Sequence, residues 1–169
     1  MTLEQLYFLA SIVAAFGVVV SLMFVGLQIR RNTSANNAAA AAAVHNNFAA
    51  FYRSIQGDQA LMGIIIKGLK DYDSISEVEK AQMNSVFMAF NLHMQDAFYK
   101  WKDGALSPEF WRAWELVSLN MFAAHGGKGF WADRCYLFSA AYQDFISNDL
   151  MQRPLQDNIK PFGAFTIGE

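Results

Sequence analysis

Three parts of this sequence carry residue types that could do chemistry, and the first is a histidine close to a carboxylate. His93 and Asp96 lie three positions apart in a helical pattern, which places both side chains on one helix face. A di-iron bundle needs several carboxylates and Glu-x-x-His pairs, but no glutamate of this chain has a histidine three residues further on. We therefore interpret the pair as a hydrogen bond at a helix flank or at a seam between helices, and we predict no metal site.

The second part is the segment HGGKGFW, residues 125–131, which has the glycines and the lysine of a phosphate loop. Such a loop needs Ser or Thr after its lysine and a strand before it, whereas Gly129 follows Lys128 in a helical context. The sequence instead predicts a helix that ends at Gly126-Gly127. His125 would cap its C-terminus, where a cationic side chain is favourable.

The third part consists of the potential nucleophiles. Cys135 is the single cysteine of the chain, and a catalytic cysteine needs an activating base beside it. The context of Cys135 is a short aromatic helix, so we interpret it as a packing residue. Ser107 and Ser139 stand where helices are predicted to begin, which is the position of an N-cap. We predict no catalytic residue and no cofactor.

A ligand-binding function would place its site among the aromatic helices. The residues expected to line such a site are His93, Asp96, Trp101, Trp111, Trp114 and His125. Clustered aromatic side chains can line an apolar ligand pocket, although aromatic residues at helical spacing more often form the core. The sequence leaves both interpretations open.

Local signals place these residues on helices and predict an all-α fold. Asp58 is a suitable N-cap, and the pairs Ser74–Glu77 and Ser76–Glu79 form two overlapping capping boxes, as at helix starts. The longest apolar face recurs at steps of four and three: Met83, Phe87, Phe90, Met94, Ala97 and Trp101. We predict a helical domain over 57–150, with about five helices, and an irregular tail over 151–169.

An apolar segment precedes this domain. Residues 6–29 carry no charge and extend about 36 Å as a helix, against a bilayer hydrocarbon core of about 30 Å. A signal peptide has positive charge before a shorter apolar stretch, whereas here Glu4 precedes the segment and Arg30 and Arg31 follow it. We predict a transmembrane anchor over 1–31, with its N-terminus outside and the C-terminal domain in the cytoplasm.

The next segment, residues 32–56, predicts an alanine-rich helical stalk. Six consecutive alanines, Ala38–Ala43, have the strongest helix propensity. Small or amide side chains form one stripe from the anchor into the stalk: Ala10, Ala14, Gly17, Ser21, Ala35, Ala39, Ala42 and Asn46. An alanine run yields a small stripe in any direction, and the alternative is that the stalk helix folds back on its own domain. Small residues also let helices pack closely in membranes. We predict that the stripe is a helix-packing interface.

Net charge, cysteine count and apolar content exclude some classes of function. The net charge of −2 argues against nucleic acid as a partner, since a nucleic-acid-binding protein shows a basic face. A single cysteine excludes an intrachain disulfide framework. Hydrophobic residues make up 54% of the chain and charged residues 17%, against about 45–50% and about 25% in typical soluble domains. This excess lies at the N-terminus and indicates membrane lipid as a partner.

The junction FVGLQIRRNT (24–33), with LKDYDSISEVEK, DAFYKWKDGALSPEFW and GKGFWADRCYLFSAAYQDFI further on, resembles a family of uncharacterised bacterial single-pass membrane proteins. The resemblance covers residues 10–147. It implies an N-terminal anchor in the bacterial inner membrane and a compact helical domain in the cytoplasm. It implies no activity, so it assigns no catalytic residue.

These features predict a non-enzymatic, membrane-anchored assembly or scaffold protein. We expect a homo-oligomer or an accessory subunit of a larger membrane complex, with contacts through the anchor and the stalk helix. The alternative is an enzyme, or a sensor of a small ligand or lipid, with its site among the aromatic cytoplasmic helices. A defined oligomer would favour the first function, and a ligand held among those helices would favour the second.

Overall fold

A computed structural model describes residues 2–154, and every regular element among them is helical. The prediction of an all-α fold is confirmed. The elements are α1 (Leu3–Gln56), α2 (Gln59–Lys70), a 3-10 turn (Tyr72–Ser74), α3 (Glu77–Lys102), α4 (Pro108–Ala123), α5 (His125–Arg134), a second 3-10 turn (Cys135–Leu137) and α6 (Ala140–Asp144). A π-helical segment, Phe145–Asp149, and a 3-10 turn, Leu150–Gln152, follow α6. Most of the predicted tail, residues 155–169, lies outside the described residues.

The chain forms two units, Met1–Ala39 and Ala40–Glu169, and the first is exposed throughout residues 2–36. Its most apolar stretch of 18 residues has a mean hydropathy of 2.6, and none of these residues is buried. By length and composition this helix can cross a membrane. A signal sequence passes the same criterion, but the core helix of a soluble protein would be mostly buried.

The second unit begins at Ala40, well before the predicted domain start at residue 57. Val44 and Phe48 of α1 are each only 1% exposed. The Phe48 ring stacks on the indole of Trp114 with a centroid distance of 3.7 Å, and it meets Phe90 edge-on at 5.7 Å. The second half of the predicted stalk is therefore part of the core of the helical domain.

Helix α3 provides the long buried face predicted from its spacing, and it begins at one of the two predicted capping boxes. The Ser76 amide donates to the Glu79 carboxylate (2.7 Å), and the Glu79 amide donates to the Ser76 hydroxyl (3.3 Å). The hydrogen bond from the Ser76 amide is the largest cause that holds the pKa of the Glu79 carboxyl below its usual value. The other predicted box is not formed, because Ser74 lies in a 3-10 turn and donates to the Asp71 carbonyl (2.9 Å).

The prediction that a helix ends at Gly126-Gly127 is wrong. Helix α4 ends at Ala123, and both glycines are buried inside α5. A β-carbon at Gly126 would collide with the Gly68 carbonyl oxygen of α2, and one at Gly127 with the Met121 carbonyl oxygen. Glycine is therefore required here for close helix packing rather than for helix termination.

Two predicted caps have other partners. His125 is the first residue of α5, and its Nδ1 accepts a hydrogen bond from the Tyr72 amide (3.1 Å) rather than capping the end of α4. Ser139 precedes α6 as predicted, but its hydroxyl makes no capping hydrogen bond. It accepts instead from the Tyr99 hydroxyl of α3 (2.7 Å).

Candidate functional site

The candidate site is a cavity of about 280 Å³ inside the helical domain. Its walls are the end of α1, one face of α2 and the middle of α3, with one residue of α4. The lining residues are Phe51, Tyr52, Ile55, Met62, Ile65, Ile66, Leu69, Val86, Phe87, Phe90 and Met121. All of them except Tyr52 have purely apolar side chains or a thioether, so the cavity accommodates apolar groups.

Each wall follows from the local sequence. The Asp58 carboxylate accepts a hydrogen bond from the Leu61 amide (2.9 Å) and so caps α2. The α2 residues that line the cavity are spaced three, one and three apart, which places them on a single helix face. The α3 residues that line the cavity also share one helix face; they are Val86, Phe87 and Phe90. The three faces meet around the cavity because each is apolar and needs a partner.

The cavity has a buried floor and a partly exposed rim. Phe87, Phe90 and Met121 are buried, whereas Tyr52 and Ile66 are 37% and 39% exposed. Burial raises the pKa of the Tyr52 hydroxyl above its ordinary value, so the residue is neutral at physiological pH. The lining therefore carries no charged side chain, and Tyr52 supplies its one hydroxyl group.

The structure brings only some of the predicted ligand-site residues together, and none of them lines the cavity. Asp96 accepts from Lys100 (2.6 Å), so the predicted hydrogen bond between His93 and Asp96 is wrong. The His93 ring lies against Phe48 and Phe51. The other candidates are placed as follows: Trp101 stacks on Trp111 at 5.2 Å, Trp114 stacks on Phe48, and His125 contacts the Tyr72 amide.

A second group of polar side chains is exposed beside the turn after α2. Asp71, Asp73 and His125 have potential ligand atoms within 4.8 Å of one another. However, the Asp71 carboxylate accepts from the Asp73 amide (3.1 Å), and the His125 Nδ1 accepts from the Tyr72 amide. A neutral imidazole that accepts at Nδ1 carries its proton at Nε2, which leaves no free nitrogen lone pair for a metal. These side chains stabilise the turn.

A buried polar contact crosses the core of the same unit. The Tyr142 side chain is fully buried, and its hydroxyl donates to the Asn91 Oδ1 (3.0 Å), while the Asn91 Nδ2 donates to the Phe87 carbonyl (2.9 Å). Burial raises the pKa of Tyr142 well above 10.0. This hydrogen-bonded pair fixes α6 against α3 close to the cavity floor at Phe87.

We expect Tyr142→Phe to lower the free energy of unfolding by about 1–3 kcal/mol at neutral pH, because the buried Asn91 oxygen loses its donor. Above pH 10 the unfolded tyrosine ionises and the folded one stays protonated, so this group's contribution to stability falls by about 1.4 kcal/mol per pH unit. The variant should therefore lose stability less steeply with rising pH than the natural chain. Urea unfolding at several pH values measures this.

The matched control is Tyr136→Phe, since Tyr136 is 67% exposed. Its stability and its pH dependence should equal those of the natural chain. Identical alkaline slopes for Tyr142→Phe and the natural chain would contradict the expectation.

Comparison with protein-family models, curated proteins and solved structures gave no match. Function is therefore argued from the residues of this chain. Sequence reasoning assigned no residue to this cavity. It did place Phe87 and Phe90 on the apolar face of the long helix, and that periodicity was the available signal.

Proposed function

We propose that this protein is a non-enzymatic assembly protein anchored in a bacterial inner membrane by a single helix. Through that helix it associates with copies of itself or with a larger membrane complex. The observation that carries the proposal is the uncharged segment 5–29, whose side chains are all exposed. So much exposed apolar surface is characteristic of a segment that contacts lipid or another protein.

The orientation follows from the charges that flank the segment. Arg30 and Arg31 stand at its C-terminal end, and basic residues favour the cytoplasmic side. The helical domain accordingly lies in the cytoplasm, as the resemblance of residues 24–33 also implies. Cys135 is the single cysteine and is half-buried. Its modification by a membrane-impermeant maleimide in intact cells would contradict this orientation.

The small-residue stripe supports association. A β-carbon at Gly17 would meet no atom within 4 Å, so a neighbouring helix has room to approach there. In the helical domain, Ala42 and Asn46 are exposed, whereas Val44 and Phe48 are buried. These two pairs lie on opposite faces of the same helix, because successive residues are rotated by about 100°. The stripe thus stays available after the domain core has formed.

We expect Ala14→Leu to disrupt association and Ala15→Leu to leave it intact. The substitutions are chemically identical and neighbouring, but only Ala14 belongs to the stripe, and a leucine there keeps helix backbones apart. The ratio of assembled to single chains should fall about tenfold, equal to about 1.4 kcal/mol. Native mass spectrometry of complexes extracted with their lipids measures it.

The natural chain should appear either as a multiple of 18.9 kDa or with unrelated subunits. A single chain without any partner would contradict the proposal. Equal effects of the two leucine variants on association would show that the stripe is not the interface.

A further inference from the structure

The cavity of the helical domain has a chemistry that the proposed assembly function does not use. It measures about 280 Å³, and a cavity of about 150 Å³ lined by Leu, Ile and Phe binds benzene. By that measure it accommodates an apolar group of roughly ten to twelve carbon atoms. The volume suits one hydrocarbon chain rather than the two chains of a phospholipid.

The lining excludes ligands that need polar recognition. Among the eleven lining residues, the Tyr52 hydroxyl is the single strong hydrogen-bonding group of a side chain, and it lies at the rim. Nucleotides, sugars and amino acids carry several polar groups, and burying each of them without a partner is costly. A hydrocarbon chain has no such groups, and each buried methylene contributes about 0.8 kcal/mol.

The rim indicates where a polar head would lie. Tyr52 and Ile66 are partly exposed there. Lys70 follows Ile66 by one helical turn, so their side chains are neighbours on α2. Lys70 is exposed and makes no ion pair with the described residues, whereas Lys67 pairs with Glu79 at 3.9 Å. A negatively charged head at the rim would therefore meet an available cation.

From these observations we infer that the helical domain binds a fatty acid, with its hydrocarbon chain in the cavity and its carboxylate at the rim near Lys70. The inference does not depend on self-association, since every residue that carries it belongs to one chain.

The test uses the full chain in nanodiscs of zwitterionic phosphatidylcholine, because detergents are themselves single-chain amphiphiles and would compete. The probe is a saturated fatty acid of about twelve carbons with a diazirine at the far end of its chain. After irradiation, mass spectrometry of the digested protein locates the labelled residues. We expect the label on the cavity floor, at Ile65, Phe87 or Met121.

Two tryptophan variants form a matched pair. Met62→Trp places a large ring at a half-buried lining position and should lower floor labelling at least tenfold. Val78→Trp adds the same ring at an exposed apolar position of α3 and should leave labelling unchanged. Circular dichroism shows whether each variant is folded, and the labelled position in the natural chain decides the question without any variant.

The position of the carboxylate near Lys70 is tested by Lys70→Ala. This variant should bind the fatty acid about threefold more weakly, as expected for the loss of an exposed ion pair. Label confined to residues 5–29, or label spread over exposed apolar residues, would each overturn the inference. So would labelling of the floor by a diazirine phosphatidylcholine in preference to the fatty acid, which would assign the cavity to a membrane lipid.

Discussion

Gly126→Ala is expected to lower the free energy of unfolding of the helical domain by about 3 kcal/mol. This value is at the upper end of the usual cost of adding atoms to a well-packed core. A β-carbon there would overlap the Gly68 carbonyl oxygen and lie 2.6 Å from the Met83 methyl carbon. Methionine can move aside, but the Gly68 oxygen belongs to the backbone of α2. The added methyl group therefore has to push α2 and α5 apart, and the packing between them is lost.

Gly63→Ala is the matched control, since Gly63 also lies inside a helix but a β-carbon there would meet nothing within 4 Å. It should stabilise the domain by about 0.5–1 kcal/mol, because alanine favours the helix over glycine. Urea unfolding of the full chain in micelles, followed by tryptophan fluorescence, measures both variants. All four tryptophans lie between residues 101 and 131, so the signal reports on the helical domain. Equal stabilities of the two variants would contradict the close packing.

Phe48→Ala is expected to lower the free energy of unfolding of the helical domain by about 4 kcal/mol, as for other buried phenylalanines. Phe48 is 1% exposed and stacks on Trp114, with their ring planes only 16° apart. Its removal leaves a cavity between α1 and α4 and weakens the docking of residues 40–56. Phe51, Tyr52 and Ile55 belong to that segment, so labelling of the cavity by the fatty-acid probe should fall as well.

Phe16→Ala is the control on the same helix, because Phe16 is 70% exposed and lies in the first unit. Its effect on the tryptophan-monitored unfolding should be within about 0.5 kcal/mol of zero. A loss below about 1 kcal/mol for Phe48→Ala would mean that residues 40–56 contribute little to the core. The interpretation of this segment as part of the domain would then fail.

The sequence alone determined the type of the secondary structure and most helix starts, because those signals act within a few residues. Asp58, Ser76 and Ser107 cap α2, α3 and α4 as expected. Gly104, the residue after the Asp103 C-cap of α3, has a φ of +74°, which glycine adopts at little cost. The ion pair between Asp96 and Lys100 is also local, at a spacing of four, and could have been inferred from the sequence.

The tertiary structure decided the features whose partners are distant along the chain. Gly126 was interpreted as a helix end, because the Gly68 carbonyl oxygen that requires glycine there is distant in sequence. His125 was interpreted as a cap for the same reason, since the Tyr72 amide that donates to it lies 53 residues away. The cavity is the clearest case. Periodicity indicates that faces of α1, α2 and α3 are apolar, but the space that remains where they meet depends on how their side chains pack in three dimensions.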